Sequence, residues 1–208
     1  DAEFAETLNK IKNELHAIQN KHWILLGENK TTYGFKTYSD FIEEASTDEP
    51  PDAQLSDDDV YNIMYSSGTT GALKGIFHTH YVRANYCTHF ASACRMTPES
   101  IVLCTGAIVF NGAMLDLMPW MFLGATYILH HYFDAGAVLA TVEKEKVTHM
   151  VMVPAQITAL LNHPDFKPEK LRSLEMLQNI GAPLLLEYKH KLNEVLPGIF
   201  YEIYGVTK

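Results

Sequence analysis

The sequence predicts an α/β fold in which a mostly parallel sheet is flanked by helices in a layered sandwich. From residue 60 onward, short apolar runs alternate with longer stretches whose apolar residues recur at helical spacing. The short runs are apolar on both faces, which is typical of strands that lie between two layers of helices. The 208 residues are 47% hydrophobic and 20% charged, enough for one large globular domain or two small ones.

Residues 1–59 are predicted to form a small first part of the chain. One amphipathic helix is indicated by apolar residues at helical spacing, namely Leu8, Ile11, Leu15 and Ile18. Residues 23–26 predict a short buried strand that ends at Gly27, and residues 37–46 predict a second helix. Residues 47–59 are acidic and contain two adjacent prolines, so they predict a linker in which the three consecutive aspartates 57–59 are solvated rather than metal-binding.

The remaining residues, 60–208, are predicted to form the main α/β unit. Strands are predicted at residues 60–66, 100–105, 125–130, 148–153, 174–180 and 199–204. Helices are predicted at residues 80–95, 111–122, 134–146, 154–163 and 184–195. The first strand is expected to be buried, and Met114, Met118, Met121 and Phe122 are expected to pack the second of these helices into the core.

One stretch, residues 104–129, is long and apolar enough to cross a bilayer, with Asp116 as its single charge. Pro119 and Asn111 would interrupt a continuous span, and a carboxylate at mid-membrane costs about 2.5–3.5 kcal/mol. A buried helix followed by a buried strand fits the stretch better. We therefore expect no membrane span.

Charge and cysteine content restrict the partners and the compartment. With 16 Lys and Arg against 25 Asp and Glu, the net charge is −9, which argues against nucleic acid or an anionic membrane as the main partner. The three cysteines form no CxxC pair, and an odd number is a poor disulfide framework. Together with a polar N-terminal stretch unlike a signal peptide, this favours a cytoplasmic protein with buried, structural thiols.

The most informative stretch is the glycine-rich segment SSGTTGALKG at residues 66–75, which directly follows a predicted strand. Its glycines permit close backbone approach to a ligand, and its hydroxyls and amides can donate to phosphate oxygens. Lys74 adds a mobile positive charge suited to a polyphosphate. The spacing matches neither the Walker loop nor the G-x-G-x-x-G turn, and the alternative is a flexible loop without a ligand.

The segment YSSGTTGALKG followed by HTH resembles the phosphate-binding signature of the adenylate-forming enzymes. This superfamily includes acyl-CoA synthetases, luciferase-like enzymes and peptide-synthetase adenylation domains, and the chain looks most like the acyl-CoA synthetases. Residues 180–184 (IGAPL) are similar to the family's Gly-Gly-Ala-Pro-Leu, and residues 204–207 (YGVT) to its Tyr-Gly-x-Thr-Glu. The resemblance covers about residues 20–208 and implies a central fragment of the large N-terminal domain.

The resemblance implies that ATP activates a carboxylic acid, fatty or aryl, to an acyl-adenylate, which then passes to coenzyme A, with Mg²⁺ as a cofactor. It implies binding of the ATP phosphates by Ser66, Ser67, Gly68, Thr69, Thr70, Gly71, Lys74 and Gly75. Tyr204 would stack on adenine beside Gly205, and Thr207 would touch the α-phosphate. The acyl and adenine pocket would be lined by Val109, Gly181, Ala182 and Pro183.

The sequence departs from the family pattern at several of these positions. Leu73 replaces the loop's usual proline, Ile180 replaces a glycine, and Val109 stands where a histidine is usual. Lys208 stands where the family has a magnesium-binding glutamate. The catalytic lysine and its small C-terminal domain would lie beyond residue 208, so the catalytic residue is unknown and the chain alone is expected to be inactive.

Two other interpretations remain open. The chain could be a degenerate, non-catalytic module that binds nucleotide, or a general α/β interaction domain whose glycine-rich loop binds nothing. Its histidines, including His78, His80 and His149, lack the partners of a zinc site and are expected to be structural.

Overall fold

A computed structural model describes residues 4–27, 32–66 and 73–205. The chain divides into two compact units, residues 1–54 and 55–208. The glycine-rich segment is only partly covered, since Ser67, Gly68, Thr69, Thr70 and Gly71 lie outside the described residues, as do Thr207 and Lys208.

In the first unit, the predicted long amphipathic helix is wrong. Helix α1 covers only Ala5–Ile11 and is followed by 3₁₀ turns at Lys12–Glu14 and Asn20–His22. The four apolar residues of the stripe, Leu8, Ile11, Leu15 and Ile18, are all exposed. These four residues do not pack into a core, because the core of this unit is formed by Ala5, Trp23, Leu25 and Phe35.

The rest of the first unit is built around an aromatic pair. The rings of Trp23 and Phe35 are stacked with their centroids 5.4 Å apart. Beside them the short strands β1 (Ile24–Leu25) and β2 (Lys36–Thr37) pair in parallel. Helix α2 (Tyr38–Glu43) then begins where the Thr37 hydroxyl accepts a hydrogen bond from the Asp40 amide at 3.1 Å.

The second unit opens with a hairpin rather than with a strand of the parallel sheet. Strands β3 (Val60–Ser66) and β4 (Lys74–Thr79) pair antiparallel and form a two-stranded sheet of their own. A connection this short can join only antiparallel neighbours, because a parallel crossover needs a dozen or more residues. The prediction that residues 60–66 form a buried strand is therefore wrong in its burial: Tyr65, for example, is 72% exposed.

The parallel sheet itself has five strands, and the predicted fold class is confirmed. The strands are β5 (Ile101–Cys104), β6 (Thr126–Leu129), β7 (His149–Met152), β8 (Met176–Asn179) and β9 (Phe200–Glu202). They lie in the order β6-β5-β7-β8-β9, and every neighbouring pair is parallel. The helices are α3 (His80–Ala93), α4 (Met114–Leu123), α5 (Ala135–Glu145), α6 (Pro154–Leu161) and α7 (Leu186–Val195).

Alternation along the strands separates the core into two layers. Leu103 and Leu177 belong to one apolar cluster, which also holds buried residues of α5, α6 and α7. Their strand neighbours Val102 and Met176 belong to a second cluster, packed against residues of α3 and α4 such as Phe90 and Trp120. Since successive side chains of a strand point to opposite faces, the sheet lies between two layers of helices.

Helix α4 is less buried than its composition predicts. Leu115 and Met118 are buried, whereas Met121 and Phe122 are exposed, so the prediction that all of these residues pack into the core is wrong. Within the described ranges, no helix is both long and apolar enough to cross a membrane. Of the cysteines only Cys94 is buried; Cys87 and Cys104 are half-buried, and all three are free thiols.

A buried arginine ties the hairpin to α3. Arg83 is only 1% exposed, and its Nε donates to Asn62 Oδ1 of β3 at 3.0 Å. Its Nη2 lies 3.3 Å from Nδ1 of the buried His78 of β4. Burial and the charge of Arg83 together hold the pKa of His78 below its usual value, so this histidine accepts from the arginine as a neutral ring.

Candidate functional site

The parallel sheet presents a candidate ligand site at its carboxyl edge. The chain passes from β5 to β6 on one side and later to β7 on the other, so the direction of winding reverses between β5 and β7. In open α/β sheets, ligands bind outside the carboxyl ends of the strands at such a reversal. The segments that follow β5, β7, β8 and β9 meet at this edge and line two adjoining hollows.

The outer hollow, here called the groove, has a volume of about 440 Å³. It brings together three residues that the resemblance assigns to nucleotide binding: Gly181 after β8, and Tyr204 and Gly205 after β9. Tyr204 is 95% exposed, so one face of its ring is available to a planar ligand. The other lining residues include Tyr86 and Phe90 of α3, Phe110, Asn111, Gly112, Leu115, Val153, Ile180 and Ile203.

Three other residues assigned to the pocket from sequence do not line it. Ala182 and Pro183 follow Gly181 but lie outside both hollows. Val109 is 70% exposed and also lines neither; its neighbours Phe110 and Gly112 line both. At this segment the two hollows are lined by Phe110 and Gly112, which lie one and three residues after Val109.

A brace of hydrogen bonds holds the segment after β8 against the end of β9. The buried Asn179 donates through Nδ2 to the carbonyl of Ala182 at 2.9 Å and to Glu202 Oε1 at 3.0 Å. The same carboxylate oxygen accepts from the Leu184 amide at 2.9 Å, and its partner oxygen pairs with Lys189 of α7. Lys189 and the Leu184 amide hold the pKa of Glu202 below its usual value, so the brace is ionised at neutral pH.

The turn inside this brace requires glycine. Gly181 has a φ of +89°, a conformation that side-chain-bearing residues rarely adopt. A Cβ at this position would also lie 3.6 Å from Val153 Cγ1, directly over the groove. Neither Asn179 nor Glu202 was among the residues singled out from the sequence. The sequence signal for them is weak: Glu202 is the one charged residue of β9, and Asn179 follows a second polar residue, Gln178, in β8.

The inner hollow, here called the cavity, has a volume of about 210 Å³ and lies between α4 and the sheet. It adjoins the groove, since Phe110, Gly112, Val153 and Ile180 line both. The rest of its lining comes from the ends of β5 and β7 and the segments after them, from Tyr127 of β6, from the start of α4 and from α6. These residues are Cys104, Thr105, Gly106, Ala107, Ala113, Asp116, Val151, Met152 and Gln156.

The pKa values of two side chains in the cavity, Asp116 and Tyr127, are raised well above their usual range. Asp116 is 4% exposed, and burial raises the pKa of its carboxyl to about 7, although a hydrogen bond with the Val151 backbone lowers it in part. Burial also raises the pKa of Tyr127, with smaller contributions from Cys104 and Asp116. The Cys104 side chain contributes to this raised pKa, and its thiol donates to the Gly106 carbonyl at 3.3 Å. Among the described residues, no group forms a hydrogen bond of normal geometry with the Tyr127 hydroxyl.

Asp116 predicts a pH-dependent stability. Its folded pKa lies above its unfolded value, so its stabilising contribution is complete below pH 3.8 and is lost as the pH rises to about 7. The Asp116→Asn variant has no carboxyl to ionise, so it does not lose this contribution. Its free energy of unfolding minus that of the wild type is therefore expected to be about 2 kcal/mol larger at pH 8 than at pH 5. Urea unfolding of both proteins at the two pH values measures this difference.

Comparing the two proteins at each pH cancels the titration of His78 and His149, whose lowered pKa values act in the opposite direction. The exposed Asp165 gives a matched Asp→Asn control, for which the difference should not change with pH. An Asp116→Asn effect equal at pH 5 and pH 8 would contradict the raised pKa.

The hairpin carries the remaining predicted site residues. Ser66 ends β3 and Lys74 begins β4, where the two residues pair across the hairpin. Lys74 and Gly75 are therefore strand residues rather than part of an irregular loop, and the Lys74 side chain is exposed. Gly75 packs closely against Tyr65, since a Cβ there would lie 3.2 Å from the tyrosine ring.

The histidines and acidic residues form no metal site in the ranges that the structure describes. His149 is buried, with Nε2 2.9 Å from the Cys94 carbonyl and Nδ1 2.8 Å from the Thr148 hydroxyl. His80 begins α3, and its ring meets Tyr61 edge to face with centroids 5.2 Å apart. These contacts agree with the structural roles expected from the sequence.

Comparisons with known proteins agree on one family. The sequence model of the AMP-binding enzyme family matches residues 2–208. Feruloyl-CoA synthase of an Amycolatopsis species is 38% identical over 168 residues, which are 79% of this chain and 34% of that protein. Indoleacetate–CoA ligase of Aromatoleum aromaticum is 29% identical and covers 84% of this chain and 34% of that protein. The chain therefore spans about a third of the length of the curated relatives it matches.

Solved structures show the same fold. ATP-bound MatB from Rhodopseudomonas palustris superimposes with a TM-score of 0.74 at 23% identity, covering 84% of this chain and 36% of that chain. The N-terminal domain of FACL13 from Mycobacterium tuberculosis superimposes with a TM-score of 0.75 at 21% identity, covering 98% of this chain and 49% of that chain.

Proposed function

Because the chain belongs to the AMP-binding enzyme family, we propose that it forms the nucleotide- and acid-binding part of an acyl-CoA synthetase. The complete protein would join a carboxylic acid to the α-phosphate of ATP, release pyrophosphate and transfer the acyl group to coenzyme A. The observation that carries the proposal is the groove at the carboxyl edge of the sheet, which Gly181 after β8 and Tyr204 and Gly205 after β9 line together. The relatives named above, a feruloyl-CoA synthase and an indoleacetate–CoA ligase, support an aryl acid.

The chain's own residues supply binding and orientation. The hydroxyls and amides of residues 66–71 and the charge of Lys74 would hold the β- and γ-phosphates, which neutralises charge on the leaving pyrophosphate. The Tyr204 ring would stack on the adenine. Holding acid and nucleotide at one edge converts their encounter into a reaction within a single complex, which lowers the entropic part of the barrier.

Magnesium does not fit the position that the family uses for it. Mg²⁺ takes oxygen ligands, and Lys208 offers only an ammonium group where the resemblance places a glutamate. No role in the reaction is therefore assigned to a metal held at that position.

Acid-dependent exchange between ATP and pyrophosphate tests the proposal. The natural full-length protein that carries this chain is assayed with acids of increasing chain length and with aryl acids, and the isolated 208-residue chain serves as the control. We expect exchange that depends on the acid in the full-length protein and none in the control. Exchange that is absent with every acid would overturn the proposal.

A non-catalytic nucleotide-binding module is the second candidate, favoured by Lys208 and by Val109 at the histidine position. It predicts binding of ATP or AMP to the full-length protein without any acid-dependent chemistry. Titration calorimetry with ATP and AMP distinguishes the synthetase and the nucleotide-binding module from a general interaction domain. An interaction domain is expected to show no heat of binding with either nucleotide.

Replacement of Tyr204 by alanine is expected to weaken ATP binding about tenfold, because stacking of a base on an aromatic ring contributes about 1–3 kcal/mol. Tyr204→Phe keeps the ring and should bind within twofold of the wild type. Tyr132, which is also exposed but lies outside the groove, gives a matched Tyr→Ala control. Equal affinities of the Tyr204→Ala variant and the wild type in calorimetry would exclude the stacking role.

A further inference from the structure

We propose that the cavity holds the aromatic ring of the acid substrate, and that Asp116 and Tyr127 select a ring that carries a hydroxyl group. This inference rests on the proposed function for the identity of the substrate as an acid. It assigns the selecting role to two residues that the resemblance leaves without one.

The volume of the cavity fits one ring. An apolar cavity of about 150 Å³ in another protein stays dry and binds benzene. At about 210 Å³, the present cavity accommodates a benzene ring with one or two small substituents. A long alkyl chain would need a longer tunnel than this hollow provides, so its size favours an aryl acid over a long fatty acid.

The position of the cavity gives the substrate an orientation. The cavity and the groove share the lining residues Phe110, Gly112, Val153 and Ile180. A ring in the cavity would therefore direct its carboxylate side chain into the groove, where the proposed nucleotide site lies. Gly112 keeps this connection open, because a Cβ there would lie 3.3 Å from Ile180 Cδ1.

The lining explains why a hydroxyl would be selected. Most of the cavity wall is apolar, and its polar side chains are those of Cys104, Thr105, Asp116, Tyr127 and Gln156. Gln156 accepts from the Val153 amide through Oε1, and the Cys104 thiol donates to the Gly106 carbonyl. The buried Tyr127 hydroxyl has no partner among the described residues, and an unpaired buried hydroxyl is costly.

A ring hydroxyl can bond to Tyr127 and Asp116 at once. It can accept a hydrogen bond from the Tyr127 hydroxyl and donate its own hydrogen to the Asp116 carboxylate. Both side chains line the cavity, and the charge of Asp116 contributes to the raised pKa of Tyr127. A methyl group or a hydrogen at the same ring position would leave the Tyr127 hydroxyl unpaired, and sites built for a hydroxyl discriminate strongly against such analogues.

Small neutral rings test the cavity separately from adenylation. Binding of 4-methylphenol and toluene to the 208-residue chain is measured by NMR titration, with Tyr127→Phe as the variant and the exposed Tyr132→Phe as the matched control. We expect the phenol to bind the wild type and the control about tenfold more tightly than toluene, and this preference to fall to twofold or less in Tyr127→Phe. Asp116→Asn, which retains the side-chain volume, is a second variant expected to reduce the preference.

An equal affinity of the wild type for the two rings, or a preference unchanged in both variants, would overturn the inference. The exchange assay with the full-length protein separates it from the proposed function. Exchange with aliphatic acids but not with hydroxyaryl acids would refute the ring site while retaining the synthetase. Phenol binding that depends on Tyr127, together with no exchange for any acid, would retain the ring site and refute the synthetase.

Discussion

Replacement of Lys74 by alanine in the natural full-length protein is expected to lower acid-dependent ATP–pyrophosphate exchange about 100-fold. Lys74 is an exposed cation at the first position of β4, next to the glycine-rich segment. In the proposed function it neutralises charge that grows on the leaving phosphates, and loss of one such contact typically costs a factor of 10²–10³. The exchange rate at saturating ATP and acid is the quantity to measure.

The structure supplies the control for this variant. Lys144 is also exposed and lies at the last turn of α5, away from the hairpin, so Lys144→Ala should exchange at the wild-type rate. Lys74→Arg keeps the positive charge with a different geometry and should retain part of the activity. If the Lys74→Ala variant exchanged ATP and pyrophosphate at the wild-type rate, Lys74 would have no role in the proposed mechanism.

The second large effect is expected at Asn179, where the variant Asn179→Ala should lower the free energy of unfolding by about 2 kcal/mol. The side chain is fully buried and holds both the Ala182 carbonyl and Glu202. Its removal leaves these groups without their shared donor and frees the turn at Gly181. We therefore also expect weaker nucleotide binding, because Gly181 lines the groove.

Urea unfolding of the 208-residue chain measures the loss of stability. Asn162 provides the comparison, since it donates to the Tyr188 hydroxyl at 3.0 Å but is exposed. Asn162→Ala should change the free energy of unfolding by no more than about 0.5 kcal/mol. If the two alanine variants were equally stable, the brace would not be what holds the segment after β8.

The five strands of the parallel sheet could be predicted from the sequence because each lies within a short, mostly apolar run between stretches with helical periodicity. Strands such as β7 and β8 pack against helices on each side, so their composition alone identifies their environment. The exposure of the hairpin could not be predicted, because β3 is largely apolar in sequence and yet exposed in the structure. Burial depends on what covers a strand, which composition does not specify.

The residues of the candidate site also differ in how well the sequence predicts them. Gly181, Tyr204 and Gly205 lie within short motifs, and the structure brings them together in the groove. Asn179, Glu202 and the two polar groups of the cavity act through contacts between distant segments. Asn179 and Glu202, for example, are 23 residues apart. No local pattern marks such contacts, because only the register of the parallel strands brings the side chains together.

The reversal of winding between β5 and β7 also has a kinetic consequence. Ile101 and Thr148, which hydrogen-bond at the start of these strands, are 47 residues apart, almost twice the separation of any other neighbouring pair in the sheet. Closing a longer loop costs more chain entropy, although each doubling adds only about 0.6 kcal/mol. Since the ends of both strands line the cavity, a ring bound there would stabilise the contact of longest range in the sheet, and we expect it to slow the unfolding of the sheet at its centre.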